Sequence, residues 1–278
     1  MRILEEKKDI ISLSLLNIRK FVPSEFARLP RSLDDLEYWK ATEFREFLLY
    51  TGVIVLKSNL KKDMYEHFLL LLVSIRILCS NDLCQKYNDL ALKLLKTFVQ
   101  NYSSIYGLQF INYNVHSLIH LPFFANLYGP LDNFKDLLNI STDDNSILKS
   151  FKINEKISNF NFIHYNQINL KSNNFVLSCS NPKDQCIILK NNDIVFIKSI
   201  YKIKSENDNI IKLSVIKILT VEDLFSEPIP SMNIGIYLVN SNHVSNPYQI
   251  LLSDLKFKCF FFQFLHNQAV IISLCHSV

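Results

Sequence analysis

Glycine is scarce in this sequence, with four residues in 278, well below the usual share of about 7%. The chain contains no GxGxxG, P-loop or GxSxG pattern, and these motifs need glycine where the backbone approaches a phosphate or turns sharply at a nucleophile. Their absence argues against nucleotide-binding and α/β-hydrolase classes. Each glycine instead stands where a helix or turn is expected to end, at Gly52, Gly107, Gly129 and Gly235.

Cysteine pairs and long apolar runs are also missing. The six cysteines form no CxxC pair, so buried free thiols in a reducing compartment are predicted rather than a zinc site. The first ten residues, MRILEEKKDI, lack the apolar segment of a secretory signal. The longest apolar run, residues 68–79, is too short to cross a bilayer and contains Arg76. The sequence therefore predicts an intracellular, soluble protein without a membrane partner.

Neither sign of charge dominates. Thirty lysines and arginines face 26 aspartates and glutamates, which gives a net charge of +4. This balance permits nucleic-acid binding without requiring it. Hydrophobic residues make up 49% of the chain, enough for one large or two smaller folded domains.

The opening stretch, residues 23–56, combines several helix signals. Ser32 with Asp35 resembles a capping box, and Gly52 is expected to stop the helix. Residues 1–20 are roughly in helical phase as well. The apolar face of the opening helix is predicted to contain Leu33, Leu36, Phe44, Phe47 and Leu48.

Two longer helices are predicted next. The first runs from residue 60 to 79 with Asn59 as its cap, and the second from 82 to 106 with Gly107 as its stop. A shorter helix follows that Pro122 interrupts or ends. Residues 1–134 are thus predicted to form an all-α domain.

The pattern changes in the second half. Residues 135–174 are polar and rich in asparagine, without a sustained period, and are predicted to be either a polar linker or a poorly specified, disordered segment. From residue 175 to 278, short β-branched and aromatic runs alternate with turn residues, and residues 191–193 are typical of a hairpin turn. This half is predicted to be a small antiparallel β-domain, a barrel or curled sheet, which makes the fold class α+β.

Several long segments, in their order and spacing, resemble one protein family. They are PSEFARLPRSLDDLEYWKATEFREFLLYTGVIVLK, YEHFLLLLVSIRIL, YNVHSLIHL, YGPLDNF, KDQCIILKNNDIVFIKSI, DLFSEPIPSMNIGIYLVN and DLKFKCFFF. From about residue 10 to its end, the chain resembles the C-terminal region of CACTA (EnSpm)-type DNA transposases and transposase-derived proteins of invertebrates.

The resemblance implies a piece of a larger enzyme. Family members carry an RNase H-like nuclease core, whose first two metal-binding aspartates would lie upstream of Met1. The last catalytic acid would follow the GPLDNF-like turn, but KDLLNISTDD stands there without a glutamate. Two-metal phosphoryl transfer needs several converging carboxylates. The resemblance therefore implies Mg²⁺ only where a complete transposase core exists, and it implies a nuclear location.

Three residues are candidate metal ligands. Asp132 belongs to the resembling turn, and its position favours a turn or helix-capping role. His116 and His120 have the four-residue spacing of zinc-binding helices, but the glutamate of an HExxH motif is missing. Their apolar neighbours favour hydrogen-bonded histidines in the core or at its boundary. No catalytic residue is predicted.

Candidate DNA contacts are basic side chains near aromatic ones, a combination that suits phosphate contact and base stacking. Around the opening helix, interleaved glutamates also permit intrahelical ion pairs, which favours a solvated face there. The candidates are Arg28, Arg31, Lys40 and Arg45 near Trp39, with Lys198, Lys202 and Lys204 near Tyr201.

The expected function is that of a transposase-derived fragment, without an intact nuclease centre, that binds DNA or a transposase subunit. One alternative is part of an active, Mg²⁺-dependent DNA transposase whose catalytic core lies outside this chain. Another is a transposon relic without function. No small-molecule cofactor is expected.

Overall fold

The chain folds into two compact units in a computed structural model that describes residues 5–132, 162–170, 175–204, 209–264 and 267–275. Unit 1 comprises residues 1–19, 30–142 and 225–234, and unit 2 comprises residues 20–29, 143–224 and 235–278. Unit 1 is helical and unit 2 is an antiparallel β-structure, so the predicted α+β class is confirmed. Each unit also contains one short segment from the opposite half of the chain, which the predicted boundaries did not include.

The helices of unit 1 confirm the two long predicted elements. Gly107 ends the second of them with a φ of 104°, a conformation that favours glycine. Asn59 is not the cap of the first, because its side-chain amide donates to the carbonyl of Val55 at 2.7 Å. The helices are α1 (Glu5–Ile18), α2 (Ala41–Glu46), α3 (Gly52–Val55), α4 (Lys62–Cys79), α5 (Asn81–Tyr106), α6 (Tyr113–Ser117) and α7 (Leu121–Tyr128).

The predicted single helix after Ser32 is interrupted. Ser32 does cap a helical turn, since its Oγ accepts from the Asp34 N–H at 3.1 Å, but that turn is a 3₁₀ helix that ends at an extended Trp39. The break changes which residues are buried. Leu36 and Phe44 are 45% and 47% exposed, so the predicted apolar face is wrong for both.

Gly52 lies inside a helical run instead of ending it. The segment Phe47–Thr51 between α2 and α3 is a π-helical turn, in which the Gly52 N–H donates to the carbonyl of Phe47. A Cβ on Gly52 would lie 2.5 Å from that carbonyl oxygen. Glycine is required here for a close backbone approach, and its predicted role as a helix stop is wrong.

Pro122 starts a helix and does not interrupt one. It stands in the first turn of α7, where its missing N–H costs no hydrogen bond. Gly129 then ends α7 with a φ of 89°, as the sequence predicts.

Unit 2 is a curled antiparallel sheet with a separate hairpin. The sheet has the strand order β7-β8-β11-β10-β4-β5-β6-β9, and β1 pairs with the far half of β5, while β2 and β3 pair with each other. The strands are β1 (Phe162–Tyr165), β2 (Gln167–Leu170), β3 (Phe175–Ser178), β4 (Cys186–Leu189), β5 (Ile194–Lys204), β6 (Asn209–Lys217), β7 (Val221–Asp223), β8 (Ile236–Asn240), β9 (Tyr248–Leu251), β10 (Leu255–Gln263) and β11 (Gln268–Ser273).

Two of these strands fall within the predicted linker. Residues 162–170 contain β1 and β2, so the linker prediction is wrong for them, because their short alternation is hard to recognise among so many asparagines. Residues 133–161 and 171–174 lie outside the described residues. The hairpin prediction is confirmed, since Asn192 has a φ of 67° between β4 and β5.

A buried ion cluster joins the segment 20–29 to the sheet of unit 2. Lys258 on β10 is fully buried, and its Nζ donates to Glu25 at 2.6 and 2.8 Å, to Asp184 at 2.6 Å and to the carbonyl of Val176 at 2.6 Å. Asp184 in turn accepts from the backbone N–H and the hydroxyl of Ser24. The ammonium group is therefore paired and hydrogen-bonded, which is the condition for burying a charge at tolerable cost.

Replacing Lys258 with methionine should destabilise the protein by about 3–5 kcal/mol, because two carboxylates lose their buried counter-ion. Chemical denaturation measures the change. The matched control is Lys256→Met, two residues away on the same strand, where the lysine donates to an exposed asparagine and lies over the ring of Phe257, without a carboxylate partner among the described contacts; the expected change is about 0.5 kcal/mol or less. Equal effects of the two substitutions would contradict the structural role of the cluster.

Substituting Gly52 with alanine separates two opposing effects. Helix propensity alone predicts a gain of about 1 kcal/mol, whereas the contact with Phe47 predicts a loss of about 1–3 kcal/mol from overpacking. We expect a loss, measured by thermal or urea unfolding, and little change for Thr42→Ala on the exposed side of α2. A stabilised Gly52→Ala variant would show that the π-helical turn does not depend on the glycine.

Candidate nucleic-acid interface

Four neighbouring strands of unit 2 contain no acidic residue, and the two central ones, β5 and β6, contain lysines. β1, β5, β6 and β9 pair side by side, and none of them contains an aspartate or a glutamate. The acidic residues of the loop between β5 and β6, Glu206 and Asp208, lie outside the described residues. The lysines are Lys198, Lys202 and Lys204 on β5, with Lys212 and Lys217 on β6.

A β-bulge directs Lys198 out of the core. The pairing of β5 with β6 shifts register between Ile197 and Ser199, so one extra residue is accommodated at this point. Ile197 and Ile200, on either side of the bulge, both belong to the same buried cluster. Lys198 and Ser199 therefore lie together on the opposite face, where Lys198 is exposed.

The same face collects polar side chains from the adjoining strands. Residues directly opposite in an antiparallel pair share a face, which places Tyr201 beside His164 on β1 and beside Lys212 on β6. The pairs between β5, β6 and β9 extend the row by two serines and a glutamine. We call this surface the basic face; it comprises His164, Lys198, Ser199, Lys212, Ser214 and Gln249.

Of the predicted lysines of β5, Lys198 lies on this face and Lys202 does not. Lys202 pairs with Ile211, whose side chain is buried in the core cluster, so Lys202 lies on the face opposite Lys212 and is half-buried. Lys204 is the last residue of β5. The sequence thus identified Lys198 but missed Lys212, which the strand pairing places opposite Tyr201 on the same face.

Tyr201, the aromatic partner expected for base stacking, is buried. Tyr201 is 7% exposed, and burial raises the pKa of its hydroxyl. The exposed ring in this row is that of His164, whose centroid is 5.9 Å from that of Tyr201. Phosphate contact therefore fits the basic face better than extended base stacking.

The predicted basic residues of the opening helix are largely neutralised. Arg31 forms a two-pronged ion pair with Glu43, from Nε at 2.7 Å and from Nη2 at 2.9 Å. Arg45 pairs with Asp132 at 2.6 Å. These bonds fix both guanidinium groups in the fold and reduce the charge that they present to a phosphate.

The other predicted contacts near Trp39 are not gathered into one site. Trp39 is 8% exposed and donates its ring N–H to the carbonyl of Ser32 at 3.2 Å, so it offers no stacking surface. Lys40 is exposed in unit 1, whereas Arg28 is exposed in the segment that belongs to unit 2.

Glu46 is an unusual residue that the sequence places on the surface and the structure buries. It is the last residue of α2 before the π-helical turn and is 3% exposed. Within the described part of the chain, its Oε1 has no hydrogen-bond partner. Burial, with a further contribution from the charge of Glu43, raises its pKa to about 8. Glu46 is therefore mostly protonated at neutral pH.

The candidate metal ligands are not assembled into a site. His116 and His120 are exposed, so their predicted position in the core or at its boundary is wrong, although their ring centroids are 5.6 Å apart. The carboxylate of Asp132 forms an ion pair with Arg45. Among residues that the structure describes, no three or more histidines, cysteines, aspartates or glutamates are arranged to hold a metal ion.

A buried histidine does occur elsewhere in unit 1, at a position without a recognisable motif. His67 on α4 is 2% exposed, with Nε2 2.8 Å from the carbonyl of Phe98 and Nδ1 3.2 Å from the hydroxyl of Tyr106. Burial lowers its pKa. It joins α4 to α5 and has a structural role.

One family model matches the second half of the chain. It is described as "Domain of unknown function (DUF8592)" and matches residues 140–274. The match begins well before residue 175, in agreement with the placement of β1 and β2 in unit 2. No curated protein and no solved structure matches the chain. No helix in the described ranges is both long and apolar enough to cross a membrane.

Replacing Glu46 with glutamine should make the protein more stable at neutral pH. The unfolded chain ionises this carboxyl above its ordinary pKa of 4.5, while the folded protein keeps it protonated up to about pH 8. The wild type therefore loses stability relative to the variant as pH rises between these values. The difference at pH 7 is on the order of 3 kcal/mol.

Urea denaturation between pH 4 and 9 measures this difference. The control is Glu66→Gln on α4, where the carboxylate is half-exposed and its replacement should change the stability little. Parallel pH profiles for the wild type and Glu46→Gln would contradict the burial of a protonated Glu46.

Proposed function

We propose that this protein is a transposase-derived DNA-binding protein without its own nuclease centre, and that the basic face of unit 2 contacts DNA. The observation that carries the proposal is the combination of acid-free neighbouring strands with an exposed lysine on a bulge. Lys198 and Lys212 stand on adjacent strands, and Lys212 lies opposite Tyr201, three residues along β5 from Lys198. At a rise of about 3.3 Å per residue, both long side chains can reach phosphates of the same backbone.

The chemistry of this face favours binding without sequence reading. Lysine contacts phosphate as a mobile point charge, and such contacts position a protein on DNA but carry no base information. Ser199, Ser214 and Gln249 supply neutral hydrogen-bonding groups beside the two charges. Because Tyr201 is buried, we favour duplex DNA over a single strand, whose binding depends on stacked bases.

Asp132 supports the second part of the proposal. It is the acidic residue of the transposase-like turn, and its carboxylate is 10% exposed and bonded to Arg45. A carboxylate held in this way serves to fix the turn to α2. The pairing with Arg45 supports a structural role for Asp132 and argues against coordination of Mg²⁺ by its carboxylate.

Binding to a short DNA duplex, followed by fluorescence anisotropy, tests the DNA contact. The logarithm of the affinity should fall linearly with the logarithm of the salt concentration. The double variant Lys198→Gln, Lys212→Gln should bind more weakly, and the steepness of this line should decrease by about 2, one for each lost phosphate contact.

The matched control is Lys61→Gln, Lys62→Gln, which removes two exposed charges at the start of α4. It should leave the affinity and the salt slope nearly unchanged. Absence of binding at about 50 mM salt, or an equal loss in both double variants, would refute the basic face as the contact surface. Tighter binding to a single strand than to the duplex would refute the preference for duplex DNA.

A cleavage assay tests the absence of a nuclease centre. The purified chain should leave supercoiled plasmid intact in the presence of Mg²⁺. Nicking that co-purifies with the chain, and that is lost in the variant Asp132→Ala, would instead favour the alternative of an active transposase component.

A further inference from the structure

Helix α7 of unit 1 has its aromatic side chains on the outside. Pro122 and Ala125 face inward and are buried. The outward positions are occupied by Phe123, Phe124, Leu127 and Tyr128, which are 65%, 44%, 59% and 57% exposed. A surface helix normally has the reverse arrangement, with polar residues outside, so this face is unusual for a helix in contact with water.

The exposed apolar surface continues along α5. The segment after Gly107 starts at the C-terminal end of α5, and Pro122 at the start of α7 accepts a hydrogen bond from Asn88 near the other end. The chain between Leu108 and Pro122 therefore runs back along α5, from its C-terminal end towards its N-terminal end. The exposed apolar residues of this segment and of α7 form what we call the apolar stripe, namely Leu108, Phe110, Ile111, Tyr113, Phe123, Phe124, Leu127 and Tyr128.

The stripe is large enough for a specific interface. Its five aromatic residues are between 44% and 82% exposed, which amounts to roughly 600 Å² when each whole side chain offers about 200 Å². The three aliphatic residues add to this area. A stable interface of standard size buries about 800 Å² on each partner. The stripe supplies most of that area.

The stripe is also free of formal charge. The sequence contains no lysine, arginine, aspartate or glutamate between Lys96 and Asp132. A nucleic acid or an anionic membrane surface would require basic groups that this surface does not have. A charged protein partner would find no complementary charge.

We infer that the apolar stripe is the contact between two copies of this chain. In a two-fold symmetric dimer each side chain near the axis meets its own copy, so any charge there would face a like charge. A neutral, aromatic surface avoids this repulsion and is complementary to itself. The stacked rings of Phe124 and Tyr128, with centroids 6.4 Å apart, give α7 a firm surface for such packing.

This dimer is independent of the DNA contact. The stripe belongs to unit 1 and the basic face to unit 2, so each surface can be altered separately. The Lys198→Gln, Lys212→Gln variant should dimerise like the wild type. Dimer formation should also depend little on salt, since the stripe carries no charge, whereas DNA binding should depend on it steeply.

Sedimentation velocity of the full chain between about 1 and 100 µM tests the inference. The wild type should change from monomer to dimer with concentration. Phe123→Lys, Leu127→Lys places four lysines at the shared interface and should raise the dimer dissociation constant by about 100-fold or more. The control Leu219→Lys alters a leucine of unit 2 that is 48% exposed and should shift the constant by about twofold at most.

A milder variant keeps the test valid if the lysine double variant misfolds. Phe123→Gln, Leu127→Gln adds no charge and should still weaken the dimer by about tenfold or more, because it removes two exposed anchors. Circular dichroism should show unchanged helix content. A wild type that stays monomeric over the whole range, or glutamine variants that dimerise with unchanged affinity, would overturn the inference.

Discussion

Unit 2 depends on one buried positive charge. The ammonium group of Lys258 is buried among the aliphatic and aromatic side chains of the β-sheet. An unpaired charge there would cost several kcal/mol. Glu25 and Asp184 provide the compensation, but only when the segment 20–29 and the turn at residues 182–184 are both in place. The electrostatics of one lysine therefore link three distant parts of the chain, and the β-structure is incomplete without its N-terminal segment.

How well the sequence predicted the helices depended on how regular they are. α4 and α5 are long and have wide apolar stripes, so their periodicity alone identified them. The region from Ser32 to Gly52 failed because a 3₁₀ turn, an extended break and a π turn follow one another there. Each changes the number of residues per turn, which shifts the apolar phase. Gly52 looks like a stop in the sequence, although its real constraint is a backbone contact with Phe47.

The surface residues were harder to predict, because their state depends on distant partners. Arg45 has the sequence context of an exposed helix residue, yet Asp132, 87 positions later, neutralises it. Lys212 had no local signal, and only the pairing of β5 with β6 places it on the same face as Lys198. Glu46 follows a pattern of surface charges, and its burial results from the packing of the whole unit. Composition and spacing identify basic residues, but tertiary contacts decide which of them remain available.

Each unit takes a short segment from the opposite half of the chain. Residues 20–29 belong to the β-unit, and residues 225–234 belong to the helical unit. No single cut in the gene separates a complete helical unit from a complete β-unit. If recombination exchanged one half of the chain for the homologous half, each unit would contain a short segment from the other parent protein. The helical unit and the β-unit can therefore be exchanged between related proteins only if the two short segments are exchanged with them.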